Sequence, residues 1–412
     1  MPAHPLIPVN QPTVENNLMS RRLTINILRG GNQIGGNLIQ VTCDSTSILL
    51  DAGETLEGDH CIPPKAACLV APGGYDAIFL SHTHRDHMGL ADQAHPSIPL
   101  YMGGRAYEIL KAANAYLGRN SPIPAGFLES GRPIRVGALT VTPYLCDHSA
   151  FDSYMLLVEG GGQSLLYTGD FRGHGRKSFA SLLERLPQRV DFLICEGTSI
   201  SRPEPACWSE ADLETHAVDW LQRRPGPAFV VQAATNLDRL VTFYRAAKRT
   251  GRLFLEDLYQ AEVASAAGPS IPQPGCYPDV RVFLPAKVRA ESWRYQRLRV
   301  YAAARISREQ IPANSVICIR PSMQGWLEKL AQRLPLTEAV LFYSLWGGYR
   351  AKPEMAAFLA RCRELGAEEV SLHTSGHATP EQLRHLIHHL HPGKVIPVHT
   401  LCPDWFEREG LT

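Results

Sequence analysis

The chain has 412 residues, with 41 Lys and Arg against 40 Asp and Glu, so its formal charge is +1; 44% of it is apolar and 20% charged. These figures exclude a disordered chain, and with 33 Gly and 31 Pro they exclude collagen and low-complexity sequence. The even balance excludes a uniformly basic nucleic-acid binder but leaves room for a local basic surface, and the length predicts about two or three domains. Ten cysteines, at 43, 61, 68, 146, 195, 207, 276, 318, 362 and 402, form no CxxC pair. Neither a zinc ribbon nor a disulfide framework is indicated, and a reducing compartment is expected. The leader, residues 1–22, has Pro and Asn where a secretory signal needs an apolar run, and nowhere do about 18 apolar residues follow one another. A soluble, cytoplasmic protein with no membrane segment is expected.

In chain order, residues 23–28, 37–42 and 47–51 read as short alternating or β-branched runs between Gly-rich turns, an antiparallel meander. Strands are predicted over 76–80 and 98–101, a helix over 105–117, and further strands over 136–143, 153–159, 164–168 and 190–195. From about residue 203 the texture changes. Helical stretches at 212–223 and 236–250 flank the apolar strand 228–232, which predicts an α/β insertion with its own sheet, ending near 366. The strand 369–373, the helix 380–390 and the strand 395–399 then close the chain.

The segment FLSHTHRDHMG (79–89) places His82, His84, Asp86 and His87 within six residues, directly after an apolar strand. Imidazole and carboxylate are the ligands that borderline metals such as zinc prefer. More such residues stand at predicted strand ends: Asp51 after SILL, His148 after LCD, Asp170 after LLYTG and His399 after VIPV. Strand ends gathered on one sheet edge are where sites form. Taken singly, His148 or His399 reads more readily as a structural histidine; their recurrence in one pattern changes that.

This arrangement resembles the metallo-β-lactamase superfamily, whose HxHxDH motif is complete as His82, His84, Asp86 and His87. The resemblance implies an α/β fold, an αββα sandwich, and two Zn2+ ions, with Mn2+ as a substitute. One ion would be held by His82, His84 and His148 and the other by Asp86, His87 and His399, with Asp170 bridging both. Asp51 would orient these ligands from outside. The flanks of the insertion, DFLICEGT (191–198) before it and HTSGHA (373–378) and IPVHT (396–400) after it, are similar to the extra motifs of the β-CASP nucleases, RNase J-like and pre-mRNA 3′-end endonuclease-like. Gly35-Gly36-Asn37 and the stretch 230–240 stand where they do in RNase J-like chains. The division that follows is a leader 1–22, a first metallo-β-lactamase part 23–205, an inserted α/β β-CASP domain 206–366 and a closing part 367–412. In that family a histidine at the position of His399 accompanies RNA substrates, where DNA-processing members carry valine. RNase J itself has a further C-terminal domain, which is not expected here with 13 residues after His399.

The implied chemistry is phosphodiester hydrolysis by a two-metal-activated hydroxide. His377 is the expected general acid, with Glu196 raising its pKa and fixing its orientation, so that Asp86, His377 and Glu196 are the catalytic set. Ser375, Gly376 and His377 are expected on a substrate phosphate; for Ser375 a tight strand-to-helix turn explains the sequence equally well. From 287 to 308 seven cations face one anion with Trp293, Tyr295 and Tyr301 interleaved, so Lys287, Arg289, Arg294, Arg297 and Arg299 are candidate RNA contacts. A solvated helix face explains that stretch as well. The expected function is therefore a zinc-dependent β-CASP ribonuclease on single-stranded RNA, with oligomeric state open. The alternatives are a DNA nuclease of the same fold, a small-molecule ester or lactone hydrolase using the insert as a lid, and a non-enzymatic RNA-binding scaffold.

Overall fold

A computed structural model of the chain describes residues 22–58, 60–202 and 207–411. The expected leader lies outside the described residues except for Arg22.

Three six-stranded sheets carry the fold. The first follows chain order: β1 (Thr24–Arg29), β2 (Leu38–Cys43), β3 (Thr46–Leu50), β4 (Ala77–Phe79), β5 (Leu100–Gly103) and β6 (Gly126–Leu128). Its first three strands form the expected antiparallel meander, and the rest pair in parallel. The second sheet is built from β7 (Ile134–Val136), β8 (Leu139–Cys146), β9 (Ser153–Gly160), β10 (Gln163–Tyr167) and β11 (Phe192–Glu196). The single strand predicted over 136–143 is thus a hairpin. Gly137, at φ +53°, turns the chain, and Thr46 packs so close that any side chain there would strike its hydroxyl. The third sheet is formed by β12 (Ala228–Val231), β13 (Phe254–Asp257), β14 (Val280–Phe283), β15 (Val316–Ile319), β16 (Val340–Tyr343) and β17 (Glu368–Ser371), in the order 14-13-15-12-16-17 and parallel throughout. The chain then returns to the second sheet, where β18 (Lys394–Val398) pairs with β11.

The layers follow from the two-residue period of strands. Ile48 and Leu50 of β3 and Leu165 and Tyr167 of β10 meet between the first two sheets, whereas Leu49 packs beneath the helix Gly104–Leu117 and Leu166 beneath the helix Pro380–Leu390. That is an αββα sandwich. β12, β15 and β16 are buried along their whole length, as strands covered on both faces must be, and this makes their sequences continuous apolar runs. The third sheet carries one apolar cluster on each face, and Ile109 and Ala113 of the sandwich join one of these with Val263, Ala264 and Ala267, clamping the two bodies together. β17 pairs with β16, so the last strand of this sheet lies past 366, where the insertion was expected to end. As a half-exposed edge strand it gives no local sign of its partner.

Candidate metal centre

One edge of the sandwich collects the ends of six strands. Asp51 follows β3, Ser81 and His82 follow β4, His148 follows β8, Asp170 follows β10, and His399 follows β18, with Glu196 as the last residue of β11. His84 precedes the short helix Arg85–Met88, which carries Asp86 and His87. Close approach is built into the backbone: Gly35, at φ +79°, lies so near Asp86 that a Cβ would stand 2.9 Å from that of Asp86. Asp51 and His399 are both buried at positive φ, +58° and +51°, and the His399 amide donates to Gly30 O at 2.8 Å. Such a conformation in a residue with a side chain costs of order 1 kcal/mol and persists where its surroundings enforce it.

The structure brings the expected ligand residues together. His82, His84, His148 and Asp170 offer ligand atoms within 4.8 Å of one another, as do Asp86, His87 and His399. Asp170 Oδ2 lies 3.2 Å from His87 Nε2, 3.8 Å from His82 Nε2 and from His399 Nε2, and 3.9 Å from His148 Nε2. A third group, Asp170, Glu196, His377 and His399, meets the same distance limit.

The donor set fits metal ions. Four histidines each hold one ring nitrogen in a partner outside the centre: His82 Nδ1 at Ser81 Oγ (3.0 Å), His87 Nδ1 at Asp51 Oδ2 (2.7 Å), His148 Nδ1 at Gly376 O (2.5 Å) and His399 Nδ1 at Thr198 Oγ1 (2.6 Å). Each then turns its Nε2 inward, the arrangement by which ligating imidazoles are oriented. Inside, the buried Nε2 atoms of His82 and His87 and Oδ1 of Asp170 have no hydrogen-bond partner among the described residues. Buried lone pairs without donors are costly unless a cation takes them. Burial, reinforced by neighbouring histidines, lowers the pKa of His82 and His148 well below the usual value, which favours the neutral imidazole that a metal needs. Asp170 is buried, which alone would raise its pKa, yet His399, His87 and His377 hold it well below the carboxylate range. Asp51 also accepts from Ser81 N (2.7 Å), Ser81 Oγ (2.8 Å) and Tyr167 Oη (2.6 Å).

His377 stands at the mouth of this centre. Its Nδ1 is 3.2 Å from Glu196 Oε2 and 3.6 Å from Asp170 Oδ2. Burial works against its charge, but Glu196 and Asp170 outweigh that and raise its pKa to about 9. Glu196 is fixed by amides of Phe171 and Ala378 on Oε1 and of Thr198 on Oε2. Ser375 Oγ accepts from the His377 amide at 3.1 Å, and Thr379 with Gln382 forms a capping box that starts the helix Pro380–Leu390 directly behind it.

These residues line a cleft of about 590 Å3 between the sandwich and the carboxyl ends of the third sheet. His84, Asp86, Asp170, Ser375, Gly376, His377 and His399 face it from one side, Ala233, Asn236, Trp346, Tyr349 and Lys352 from the other. The basic stretch does not reach it. None of Lys287, Arg289, Arg294, Arg297 or Arg299 lines the cleft; Arg297 pairs with Glu262, and Arg294 lies over the rings of Tyr116 and Trp293. Sequence reasoning missed the hydroxyl partners Ser81, Tyr167 and Thr198, which nothing local marks. It also missed a buried ionic cluster of Arg172, Glu210 and Arg239, and Trp346 and Tyr349, for which LWGGYR (345–350) was an available sign.

Residues 46–231, a little under half of the chain, match the β-lactamase superfamily domain model, so this segment is similar to that family. The chain resembles the β-CASP nuclease branch of it. Ribonuclease J of Mycobacterium tuberculosis is 26% identical over 252 residues, 57% of this chain and 44% of that protein. Ribonuclease J 2 of Staphylococcus saprophyticus is 22% identical over 410 residues, 92% and 69% of the two chains. The 5′ exonuclease Apollo of Gallus gallus is 31% identical over 168 residues, 39% of this chain and 33% of that one. This chain spans less than half the length of the first curated relatives it matches. A crystal structure of a protein of unknown function from Enterococcus faecalis superposes with a TM-score of 0.73 at 22% identity, covering 93% of this chain and 95% of that one, so the whole fold recurs there. No helix among the described residues is long and apolar enough to cross a membrane.

Proposed function

We propose that the protein is a metal-dependent nuclease that hydrolyses phosphodiester bonds of single-stranded RNA in the cleft, with two Zn2+ ions as its metals and Mn2+ as a possible replacement. One observation carries this reading: four histidines, each anchored on one nitrogen, turn the other toward Asp170 in a buried centre that opens on a cleft. His82, His84 and His148 would hold one ion, Asp86, His87 and His399 the other, and Asp170 both. Divalent ions so bound supply Lewis acidity toward phosphate oxygens and lower the pKa of water.

The remaining work falls to the chain itself. Glu196 holds the His377 ring by Nδ1, which leaves Nε2 to deliver a proton to the departing oxygen. A histidine kept protonated through neutral pH suits that role. The Ser375 and Gly376 carbonyls are engaged by Arg172, His174 and His148, so their loop is held in one conformation and a substrate phosphate would meet it ready formed. The domain reading follows the sheets: a sandwich from 23 to about 205, an inserted body whose last strand is β17, and a closing segment that supplies His377 and His399. A cytoplasmic location belongs to this reading.

The names of the ribonuclease J relatives favour RNA, and that of Apollo keeps DNA as the second reading. The test uses zinc-loaded protein with end-labelled RNA and DNA oligonucleotides of matched sequence, with and without chelator. Chelator-sensitive cleavage of RNA in preference to DNA is expected. Preference for DNA would transfer the assignment to the second reading, and no cleavage of either by protein with verified metal content would refute both.

A further inference from the structure

The wall of the cleft opposite the metal centre has a chemistry of its own. After β16 the chain makes a short turn, Gly347–Ala351, tied back by Tyr343 Oη donating to Trp346 O at 3.1 Å. The turn presents two large aromatic side chains to the cleft while leaving them open to water: Trp346 is 44% exposed and Tyr349 41%. Their rings meet edge to face, with centroids 5.5 Å apart and planes at 86°. Each carries a cation. The Arg202 guanidinium lies 4.6 Å from the Trp346 centroid and Lys352 Nζ 4.6 Å from that of Tyr349.

Three features separate this wall from ordinary surface. Among the described residues neither Arg202 nor Lys352 is ion-paired with a carboxylate, whereas the neighbouring Arg350 is taken up by Glu369. Arg202 comes from the sandwich, just past β11, and Trp346 from the third sheet, so the wall exists only where the two bodies meet. The indole also lies folded over Gly348, where a Cβ would fall 2.3 Å from its ring atoms. Only glycine leaves it that room. Exposed aromatic faces interleaved with unpaired cations are what a flexible polyanion with stackable bases needs, and they offer little to a small ester or a lactone.

Resting on the nuclease reading above, we propose that Trp346, Tyr349, Arg202 and Lys352 form a nucleobase-stacking subsite that holds an unpaired base of the substrate beside the metal centre. A base takes the ring face that a cation now covers, and the displaced guanidinium or ammonium moves to the adjoining phosphate. A paired base cannot expose its face to the wall, so the subsite selects single strands over duplexes.

The experiment measures KM and kcat of zinc-loaded protein on a short single-stranded oligoribonucleotide, on the same oligomer with abasic positions, and on bis(p-nitrophenyl) phosphate. Trp346→Ala and Tyr349→Ala should each raise KM for the intact oligomer about 10-fold or more, the size of one lost base stack. KM for the abasic oligomer and turnover of the small diester should stay at wild-type values, the latter reporting an intact centre. Trp346→Phe should recover most of the affinity, and Gly348→Val, which keeps the indole but removes its room, should behave like Trp346→Ala. Unchanged KM in both alanine variants overturns the proposal, and so does an equal loss on the abasic oligomer. Wild-type protein that hydrolyses the small diester but not the oligomer also overturns it. Wild-type protein inert toward all three substrates refutes the nuclease reading itself, and the subsite with it.

Discussion

At the scale of single residues, the site is a set of rings each fixed at one nitrogen. Asp51 serves three partners at once, so Asp51→Ala frees the His87 ring and leaves Ser81 and Tyr167 without their acceptor. Loss of such an orienting group costs about 10- to 100-fold in metal affinity, which competition with a chromogenic chelator would measure; wild-type affinity would contradict the role given to Asp51. For His377→Ala the expected outcome is different: metal content by elemental analysis stays at the wild-type level while kcat falls about 100-fold or more. Loss of metal instead would make His377 a ligand, as its place in the third group of converging donors allows. HxHxDH and the strand-end Asp and His residues were legible in the sequence because acid and imidazole directly after apolar strands have few structural uses. Thr198, Ser81 and Tyr167 were not: Thr198 meets the His399 ring from 201 positions away, while Ser81, beside His82, and Tyr167 are brought to the site through Asp51, 30 and 116 positions from it respectively.

Secondary-structure elements were read correctly where the local signal was strong and incorrectly where pairing decided. Helix starts at Asn236 and Thr379 carry side-chain caps, and β12, the strand expected inside the insertion, is an unbroken apolar run. The placement of β17 depends on a partner strand, which a window of sequence does not contain, whereas the hairpin of β7 and β8 turns at Gly137, a residue inside the predicted strand whose sign was overlooked. The junction of the two bodies was equally hidden. Glu210, first residue of the helix Glu210–Arg223, is fully buried between Arg172 of the sandwich and Arg239 of the next helix, and Arg239 reaches the carbonyls of Ser344 and Thr374. Glu210→Ala leaves the buried Arg239 guanidinium without its carboxylate and Arg172 with only Asp147 and Asp238, and about 3 to 5 kcal/mol of stability should be lost in urea unfolding. Burial would raise the pKa of Glu210, but Arg239 and Arg172 outweigh it and hold it at about 2, below its ordinary 4.5. Its folded pKa is depressed, so its contribution is complete above about pH 4.5 and disappears as the pH falls through about 2. Glu210→Gln should therefore flatten the acid side of the stability profile between these values, and an unchanged profile would show the cluster to be inert.

For the whole molecule, a formal charge of +1 conceals segregation. Acidic residues are spent on the centre and on buried pairs, while Arg202 and Lys352 line the cleft with no ion pair to a carboxylate among the described residues. Two such cations give a slope near −1.4 for the logarithm of single-strand affinity against that of salt, and a value between about −1 and −3 is expected once the metals share in phosphate contact. A much steeper dependence would point to the basic stretch around Arg294 and Arg299, outside the cleft. The proposed ribonuclease activity depends above all on paired metal ions in the histidine and aspartate centre. The most direct measurement is a zinc titration of metal-stripped protein assayed on labelled single-stranded RNA. Cleavage is predicted to be absent at the start, to rise with added zinc and to level off at two equivalents, with Asp170→Ala inactive throughout. Full cleavage by the stripped protein, or by zinc-treated Asp170→Ala, would contradict it.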